Sequence, residues 1–287
     1  MVMRTRHLLA RRLNLALLVG TVVILLGSVP AKAVTSIATC PYTISTAGNY
    51  EVDHNLTCSG TNGIEIQVSH VYLNLNGHMI AGSGVEQGIL VQVTGPLTDI
   101  HIVGPGLVQK FGLGILFKNA ELTNAEVRNV TLASNSGGGI EVYPNGGSCS
   151  GLRLTANVVV SNGGDGILLI DCTDGQLEDN DATINGGSGI SLLGGSGNEL
   201  HRSWAEGNGL DGITIEDYST NNNVNGNATN GNSVDGISVD LGSTGQNIQS
   251  NQSSGNGGFD MDDDNAGCDS NYWYNNTFFT SNQSCIH

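Results

Sequence analysis

Positive charge is scarce in this 287-residue sequence, where ten Lys and Arg residues stand against 26 Asp and Glu residues. Five of the basic residues lie in positions 1–33, whereas every acidic residue lies beyond them. A chain without those positions carries a net charge of 5 − 26 = −21. Such a charge repels nucleic acid and anionic membranes, and it repels acidic polysaccharides unless cations bridge the two surfaces. We therefore expect no nucleic-acid partner.

The apolar run near the start, Leu13–Leu26, is short for a membrane span. Four arginines precede it, and Ala31-Lys32-Ala33 has the small-x-small pattern of a cleavage site. We predict that residues 1–33 are a secretory signal peptide. The cleaved chain would be secreted or extracytoplasmic, in the periplasm or at the cell surface, without inserting into a membrane. The alternative is that the segment is kept as a single membrane anchor.

One short pattern returns along the second half of the sequence. Gly-Ile pairs open alternating apolar runs at spacings of 27, 23, 23 and 24 residues: Gly139-Ile140, Gly166-Ile167, Gly189-Ile190, Gly212-Ile213 and Gly236-Ile237. Two polar columns keep the same phase, the first being Asn162, Asn185, Asn208 and Asn232, and the second Asn157, Asn180, Ser203 and Asn227. A period of 20 to 50 residues is typical of stacked repeats, and the alternation indicates strands rather than helices.

Each repeat has the length of one rung of a parallel β-helix, in which rungs stack at roughly 4.8 Å. We expect Ile140 and its equivalents to fill the interior, and the Asn columns to form ladders of amides inside the turns. Asn180 is expected within such a ladder, and Asn222 on the surface. Near the end of the chain, either Phe259 or Met261 continues the inward column.

The segment Leu73–Ile80, of sequence LNLNGHMI, and the repeats together resemble the pectin-lyase-like superfamily in its short-repeat, carbohydrate-associated branch. The resemblance covers roughly residues 40–287. It implies an all-β fold: a single-stranded right-handed parallel β-helix, or solenoid, with an N-terminal cap and a disulfide-pinned C-terminal cap. It implies no single activity, because this scaffold carries lyases, hydrolases, epimerases and plain binders.

We predict one domain after the signal peptide, because a chain of this length buries one elongated core. Residues 34–62 form the N-terminal cap, and residues 63–287 form the β-helix repeat domain, with a C-terminal cap from about residue 265. We expect a monomer.

Six cysteines lie beyond the predicted signal peptide, and an even count in an exported chain favours disulfides. Cys40 and Cys58 would close the N-terminal cap, while Cys268 and Cys285 would pin the C-terminal tail. Cys149 and Cys172 are 23 residues apart, which is one rung, so their side chains would meet in neighbouring coils. A metal site is the rival interpretation, but the sequence has no CxxC spacing or Cys/His cluster to support it.

A first candidate site lies on the outward face of the Gly-Ile strands, against which the active groove of the superfamily usually lies. The second and fourth residues after each glycine point outward there. On successive rungs, Lys118, Glu141 and Tyr143 would serve as base, partner and hydrogen-bond donor at a sugar ring. The alternative is an ordinary cross-rung ion pair beside one exposed aromatic ring.

A second candidate site is acidic. Asp165, Asp211 and Asp235 each precede the glycine of their rung, Glu216 and Asp240 follow the strands, and Asp260, Asp262, Asp263 and Asp264 extend the patch. Like charges on adjacent strands are destabilising unless a pKa rises, the side chains splay apart or a cation is captured. Hard oxygen ligands favour calcium, for which we predict the ligands Asp211, Asp235, Glu216 and Asp240. The alternative is a solvated acidic face that binds nothing specifically.

Paired carboxylates are also what glycoside hydrolysis needs. The stretch from Asp211 to Asp264 faintly resembles the acid series of polygalacturonases. However, the Gly-His-Gly and Arg-Ile-Lys motifs of that family are missing, and no Lys or Arg follows Arg202. The comparison therefore fails at the residues that would bind a uronate.

These observations predict an exported protein that binds, and can process, a polysaccharide or cell-surface glycan along an exposed strand face. If it is an enzyme, the candidate classes are polysaccharide lyase, epimerase and glycoside hydrolase. The alternative is a non-catalytic structural or surface-interaction rod. Calcium is the one cofactor expected.

Overall fold

The computed structural model describes residues 33–92, 95–118, 121–144 and 146–287. These residues form an all-β parallel β-helix, as predicted, and it has about 10 turns. The predicted signal peptide, apart from Ala33, lies outside the described residues. Within the ranges described, no helix is both long enough and apolar enough to span a bilayer.

Each rung, one full turn of the β-helix, contributes strands to three parallel sheets. Sheet 1 consists of Tyr42–Ile44, Ile64–Ile66, Gln87–Gln92, Leu113–Lys118, Ile140–Tyr143, Ile167–Ile170, Ile190–Leu193, Ile213–Glu216, Ile237–Val239 and Met261–Asp263. Sheet 2 consists of Val34–Ile37, Gly48–Val52, Val71–Asn74, Leu97–Val103, Leu122–Arg128, Cys149–Ser150, Arg153–Thr155, Cys172–Thr173, Gln176–Glu178, Glu199–His201, Asn223–Asn225, Asn247–Gln249 and Tyr272–Tyr274. Sheet 3 consists of Leu56–Thr57, Met79–Ala81, Leu107–Gln109, Thr131–Ala133, Val158–Val160 and Asp181–Thr183, and it continues through single bridges at Trp204 to Ala228–Asn230 and Gln252–Ser254. A short 3-10 turn, Ala266–Cys268, follows the last strand of sheet 1.

The Gly-Ile pattern marks the interior, as predicted. In sheet 1, Ile140 pairs with Ile167, and the register continues through Ile190, Ile213 and Ile237, all of which are fully buried. Met261 pairs with Ile237 and is also fully buried, whereas Phe259 is 41% exposed. Met261 therefore continues the inward column.

Both predicted Asn columns are amide ladders. In the first, Asn162 Nδ2 donates to Asn185 Oδ1 at 3.0 Å, and the series runs on through Asn208, Asn232 and Asn256. In the second, Asn157 Nδ2 donates to Asn180 Oδ1 at 3.0 Å. Each amide oxygen also accepts a backbone N–H from the rung before it, as Asn185 Oδ1 does from Asn162 N at 3.1 Å. The ladders thus pair the buried N–H groups that the turns leave without strand partners.

The expectation that Asn222 is exposed is wrong. Asn222 is only 1% exposed and belongs to a third ladder, at the turn between sheets 1 and 2. Asn198 Nδ2 donates to Asn222 Oδ1 at 3.0 Å, and Asn222 Nδ2 donates to Gln246 Oε1 at 3.1 Å. The residue lies in a run of three asparagines, and only the register of the rungs decides which of the three turns inward.

We expect Asn180→Leu to lower the free energy of unfolding by about 1–3 kcal/mol, because it strands buried polar groups. Asn180 Nδ2 donates to Leu154 O at 2.8 Å, and its Oδ1 accepts from Asn157 Nδ2 at 3.0 Å. The matched control is Asn225→Leu, at a partly exposed outward position of sheet 2. Urea unfolding of both variants measures the difference, and equal midpoints would contradict the ladder's role.

The three predicted disulfides are confirmed. Cys40–Cys58, Cys149–Cys172 and Cys268–Cys285 have Cα–Cα distances of 5.6, 4.4 and 6.0 Å. Cys149 and Cys172 are paired in register on adjacent rungs of sheet 2, as the spacing indicates. Three such bonds are typical of proteins that fold in an oxidising compartment.

The segment 34–62, which we predict to be the N-terminal cap, contributes a strand to each sheet. Tyr42–Ile44 lies in sheet 1, Gly48–Val52 in sheet 2 and Leu56–Thr57 in sheet 3. The segment therefore covers the following rung while having the form of a rung itself. At the other end of the fold, Tyr272–Tyr274 is the last strand of sheet 2, and its central Trp273 is only 2% exposed.

Candidate functional site

The outward side of sheet 1, here called the outer face, carries both groups of predicted site residues. On each strand the inward and outward positions alternate, so that Ile140 and Val142 are buried while Glu141 is half-buried and Tyr143 is 38% exposed. The stacking of rungs turns these positions into columns that run along the length of the molecule.

Lys118, Glu141 and Tyr143 are neighbours on the outer face. Lys118 lies opposite Tyr143 on the next rung, and Glu141 lies opposite Leu116, two positions before the lysine. Burial raises the pKa of the Glu141 carboxyl, the nearby Asp165 raises it further, and Lys118 opposes the shift. Among the described residues, the ion pairs within 4.0 Å all lie elsewhere. The structure thus brings the three residues together without a direct Lys118–Glu141 ion pair.

Four aspartates form what we call the acidic strip: Asp165, Asp211, Asp235 and Asp262. The first three bind the following rung rather than projecting into solvent. Asp165 accepts hydrogen bonds from Ser188 N at 2.8 Å and from Ser191 Oγ at 3.0 Å. Asp211 Oδ1 accepts from Asp235 N at 2.8 Å, and Asp235 Oδ1 accepts from Phe259 N. Each carboxylate therefore caps a backbone N–H one rung further along.

Two carboxyl groups of the strip have strongly raised pKa values. Burial raises the pKa of Asp211 to about 6, and the charges of Asp235 and Glu216 add to the shift, although the hydrogen bond from Asp235 N opposes it. Burial raises the pKa of Asp262 to about 7, with further contributions from Asp235 and Asp264. Near neutral pH, the strip therefore contains protonated and ionised carboxyl groups side by side.

The run Asp260–Asp264 does not join the patch as a whole, and this corrects the sequence-based expectation. Asp260 and Asp263 are 2% and 0% exposed. Asp260 Oδ2 accepts hydrogen bonds from the backbone of the C-terminal tail, at Phe279 N and Thr280 N. Strand alternation explains Asp263: it pairs with the inward Val239, whereas Asp262 pairs with Ser238 at an outward position. Asp260 precedes that strand, at the position that Gly236 holds one rung earlier.

The predicted calcium ligands lie close together, but much of their hydrogen-bonding capacity is already used. Asp211 and Asp235 cap backbone N–H groups, and Glu216 Oε1 accepts from Thr214 Oγ1 at 2.7 Å. Asp240 is close enough to Asp211 for its charge to raise the pKa of that carboxyl. In the part of the chain described, no three His, Cys, Asp or Glu side chains converge to hold a metal ion. Calcium would need backbone and water oxygens in addition, so the site stays a prediction.

The raised pKa values predict a stability that falls as the pH rises. Asp211 and Asp262 have pKa values of about 6 and 7 in the folded protein, against 3.8 for an ordinary Asp, which is the value expected in the unfolded chain. The folded protein therefore binds these two protons more tightly than the unfolded chain does. This contribution is complete below about pH 4 and is lost as the pH rises through 6 to 7. Asp53 and Asp99 have pKa values below 3.8, so their ionisation changes the stability only at a pH below that range. Urea unfolding from pH 4 to 8 should show this decline.

The matched variant for that measurement is Asp262→Asn, which cannot ionise. We expect its stability to vary less between pH 5 and 8, and to exceed that of the wild type at pH 8, because a like charge is removed from the strip. Parallel pH profiles for the two proteins would contradict the raised pKa of Asp262.

Sequence reasoning missed Tyr218 at the edge of the outer face. Its side chain is 74% exposed, and both Asp217 and Tyr218 have positive φ angles, of 54° and 58°. The ring lies over Gly242 of the next rung, where an added Cβ would be 2.7 Å from Tyr218 Cδ1. Bulky residues adopt such backbone angles rarely, although the turns of this β-helix hold other examples, such as Ile184. The sequence signal was an aromatic residue directly after the acidic end of a strand.

Solved structures share this fold at low sequence identity. The A-module of Azotobacter vinelandii mannuronan C-5 epimerase AlgE6 is 14% identical, with a TM-score of 0.52 over 85% of this chain and 74% of that one. The enzymatically active domain of bacteriophage CBA120 tailspike protein 2 is also 14% identical, with a TM-score of 0.57 over 87% of this chain and 42% of that one. No curated protein sequence matches the chain significantly. At such identities the likeness concerns the fold alone.

A family model gives the assignment. The model described as "Right handed beta helix region" matches residues 113–284. That span contains every Gly-Ile repeat from Gly139 onward and both predicted site clusters, and it exceeds half of the chain. The chain therefore belongs to the right-handed β-helix family.

Proposed function

We propose that this chain is an exported protein that binds a neutral polysaccharide along the outer face of sheet 1 and hydrolyses it at the acidic strip. The observation that carries the proposal is the pair of carboxyl groups with pKa values of about 6 and 7, Asp211 and Asp262, at the outer face of sheet 1, where Asp211 is partly exposed and Asp262 is 8% exposed. Glycoside hydrolysis needs one carboxylic acid to protonate the leaving oxygen and one carboxylate as base or nucleophile.

In this proposal Asp262 is the proton donor, because its pKa of about 7 keeps a share of its carboxyl groups protonated at neutral pH. Asp211, whose pKa is about 6, or the neighbouring Asp235 would act as the base or nucleophile. The exposed ring of Tyr218 beside the strip offers an apolar platform for a neighbouring sugar. Thr214 and Ser238, on the strands between these groups, are only 2% and 7% exposed, so the contacts to a sugar would come mainly from the carboxyl groups and Tyr218.

The charge distribution favours a neutral sugar over a uronate. Of the basic residues beyond position 33, only Lys118 lies in a strand of sheet 1, whereas Arg128 and Arg153 lie in sheet 2. A lyase or epimerase acting on uronates needs a cation to neutralise the carboxylate. The mannuronan epimerase and tailspike structures share the β-helix scaffold, and they support a carbohydrate ligand only as an analogy.

Lys118, Glu141 and Tyr143 are the competing catalytic centre on the same face. Glu141 has a raised pKa and Lys118 lies nearby, so a base and an acid are both available. We place the chemistry at the acidic strip because two carboxyl groups with raised pKa values lie there, whereas Glu141 is the one carboxyl group of the Lys118 cluster. The Lys118 group would then bind a more distant part of the polysaccharide.

A reducing-end assay on a panel of neutral and acidic polysaccharides tests the proposal. We expect turnover of a neutral polymer that Asp262→Asn and Asp211→Asn abolish, while the triple variant Lys118→Ala, Glu141→Gln, Tyr143→Phe weakens binding. Glu121→Gln, at an exposed position just before the sheet 2 strand Leu122–Arg128, is the control. If turnover were lost only in the triple variant, Glu141 and not the acidic strip would be the catalytic centre. Neither binding nor turnover on any polymer would leave the structural rod as the better interpretation.

Calcium binding at the strip is tested separately by thermal unfolding. If Asp211, Asp235, Glu216 and Asp240 hold the ion, millimolar Ca²⁺ should raise the melting temperature, and chelator should lower it. Asp235→Asn should abolish the calcium effect. An equal rise with Mg²⁺ or added NaCl would indicate charge screening, and the calcium prediction would then be wrong.

A further inference from the structure

A second surface feature lies at the corner between sheets 2 and 3, away from the outer face of sheet 1. It is an open hollow of about 250 Å³, and its lining residues are Asp179, Arg202, Ser203, Trp204, Gly226 and Ala228. None of them belongs to sheet 1, so the hollow is separate from the acidic strip. The indole of Trp204 is 49% exposed on its wall.

The sizes of residues on adjacent rungs create the hollow. Trp204 is bridged to Ala228 on the next rung, so the largest side chain stands directly beside one of the smallest. Gly226 takes the place that Arg202 has one rung earlier, and a Cβ built on it would be 4.0 Å from Arg202 Cγ. Two small residues thus form the floor, and Trp204 and Arg202 form the wall.

An irregularity in the second Asn ladder coincides with the hollow. Ser203, between the two wall residues, takes the ladder position that Asn180 and Asn227 hold on the adjacent rungs. Asn180 Nδ2 donates to Leu154 O at 2.8 Å, but the next rung offers it the Ser203 hydroxyl in place of an amide oxygen. The repeat therefore departs from its pattern on the rung that presents Trp204.

The polar side of the hollow is fixed in place. Arg202 Nε donates to Asp179 Oδ1 at 3.0 Å, and Arg202 Nη2 donates to Glu178. The two carboxylates raise the pKa of Arg202, which keeps its charge. One cation between two anions leaves a local charge of −1, so an anionic ligand gains nothing here. The remaining N–H groups and carboxylate oxygens suit hydroxyl groups, which both donate and accept.

We propose that this hollow binds one neutral pyranose ring, whose C–H face stacks on the Trp204 indole and whose hydroxyls contact Arg202 and Asp179. A pyranose has an apolar face and a hydroxyl rim, which matches an exposed aromatic ring beside fixed polar groups. The volume falls below the roughly 300–1,000 Å³ of pockets for drug-sized ligands, so it suits one ring. The site would hold a glycan on a different side of the molecule from the acidic strip.

Tryptophan fluorescence tests the site directly, since the sequence contains only two tryptophans and the other, Trp273, is buried. The wild-type protein is titrated with methyl glucoside, methyl galactoside, methyl mannoside and their neutral oligosaccharides, and Trp204→Phe, which keeps only the buried Trp273, shows which tryptophan responds. We expect a saturable change with at least one of these sugars. Uronate oligosaccharides at equal concentration should bind about tenfold more weakly or not at all.

Two variants check the contacts by calorimetry with the same sugar. Trp204→Ala removes the platform, and Ala228→Gln fills the hollow with the residue that Gln252 already provides in register one rung further on. Each should weaken binding by about tenfold or more. Tyr272→Ala, at another exposed aromatic, is the control and should bind normally. Unchanged affinity in both test variants, or no response to any neutral sugar, would overturn the site.

The acidic-strip variants separate this site from the proposed hydrolase. Asp262→Asn should abolish turnover without changing the fluorescence titration. Loss of the Trp204 response in that variant would show that the hollow and the acidic strip are not separate sites, and the proposal of a second site would then be wrong.

Discussion

Gly212→Ala should destabilise the protein by about 3 kcal/mol or more, although it adds a single methyl group. A Cβ at this position would lie 2.6 Å from Gly236 O, 2.7 Å from Asn232 Nδ2 and 2.8 Å from Thr229 Cβ. The carbonyl and the amide are fixed by the stacking of the next rung, so neither neighbour can retreat cheaply. Urea unfolding with both midpoint and slope measures the loss.

The same collision recurs along the whole Gly-Ile column. A Cβ would approach the carbonyl oxygen of the next rung to between 2.4 and 2.7 Å at each of these glycines: Gly63, Gly88, Gly114, Gly139, Gly166, Gly189, Gly212 and Gly236. Glycine is therefore required by the approach of rungs at about 4.8 Å, where no side-chain atom fits between the turn and the next backbone.

Gly95→Ala is the matched control for Gly212→Ala. Apart from Gly95 and its chain neighbours, none of the described residues has a heavy atom within 4 Å of a Cβ built on Gly95, and its φ is outside the left-handed region. We expect this variant to stay within about 0.5 kcal/mol of the wild type. If Gly212→Ala were equally harmless, the spacing between rungs would have to be adjustable, and the explanation of the glycine column would fail.

Much of the fold could be predicted because the same pattern of inward and outward residues recurs in every repeat. A column such as Ile140, Ile167 and Ile190 reveals its inward direction by its alternation with polar neighbours, and the period gives the rung length. Cys149 and Cys172 could be paired for the same reason, since one rung separates them. Repetition thus compensates for the weak signal of any single short strand.

The third ladder shows where that reasoning stops. Its members change from Asn198 and Asn222 to Gln246 and then Asn271, and they stand among other Asn residues in the turns. A one-residue shift in a turn exchanges an inward position for an outward one. No feature of the sequence fixes that shift, so Asn222 could not be identified as buried.

The candidate site was less predictable than the fold, because side-chain direction decides its chemistry. The spacing of Asp211 and Asp235 indicated two like charges on adjacent rungs, and in the structure Asp211 Oδ1 accepts from Asp235 N at 2.8 Å. That Asp211 would turn along the sheet to cap Asp235 N could not be read from spacing. Trp204 was missed for a related reason, since its exposure depends on the small size of Ala228 one rung later.

Asp263→Ala should destabilise the C-terminal end by about 3 kcal/mol or more, since charged hydrogen bonds contribute roughly 1.5–3 kcal/mol each. Asp263 is fully buried, at an inward position that Ile215 and Val239 hold on earlier rungs. Its carboxylate accepts from Trp273 Nε1 at 2.8 Å and from Asn271 Nδ2 at 3.1 Å. It also accepts from Asn265 Nδ2 at 2.9 Å and Asn265 N at 3.0 Å.

Asp264→Ala is the matched control, one residue away and exposed, and it should unfold close to the wild type. Equal urea midpoints for the two variants would contradict the prediction. Hydrogen exchange should further show that protection in Asp263→Ala is lost first in Tyr272–Tyr274 and the tail.

The location of that loss follows from how the last rung is closed. An open rung would expose unpaired strand edges to other chains. Here the main chain of Asp263 holds the tail, because its N–H donates to Asn282 Oδ1 at 3.1 Å and its carbonyl accepts from Asn282 Nδ2 at 3.0 Å. Its carboxylate holds Trp273 over the same end. With the Cys268–Cys285 disulfide intact, the tail of Asp263→Ala should stay tethered but become open to protease, and a tail as resistant as in the wild type would show that the disulfide alone closes the rung.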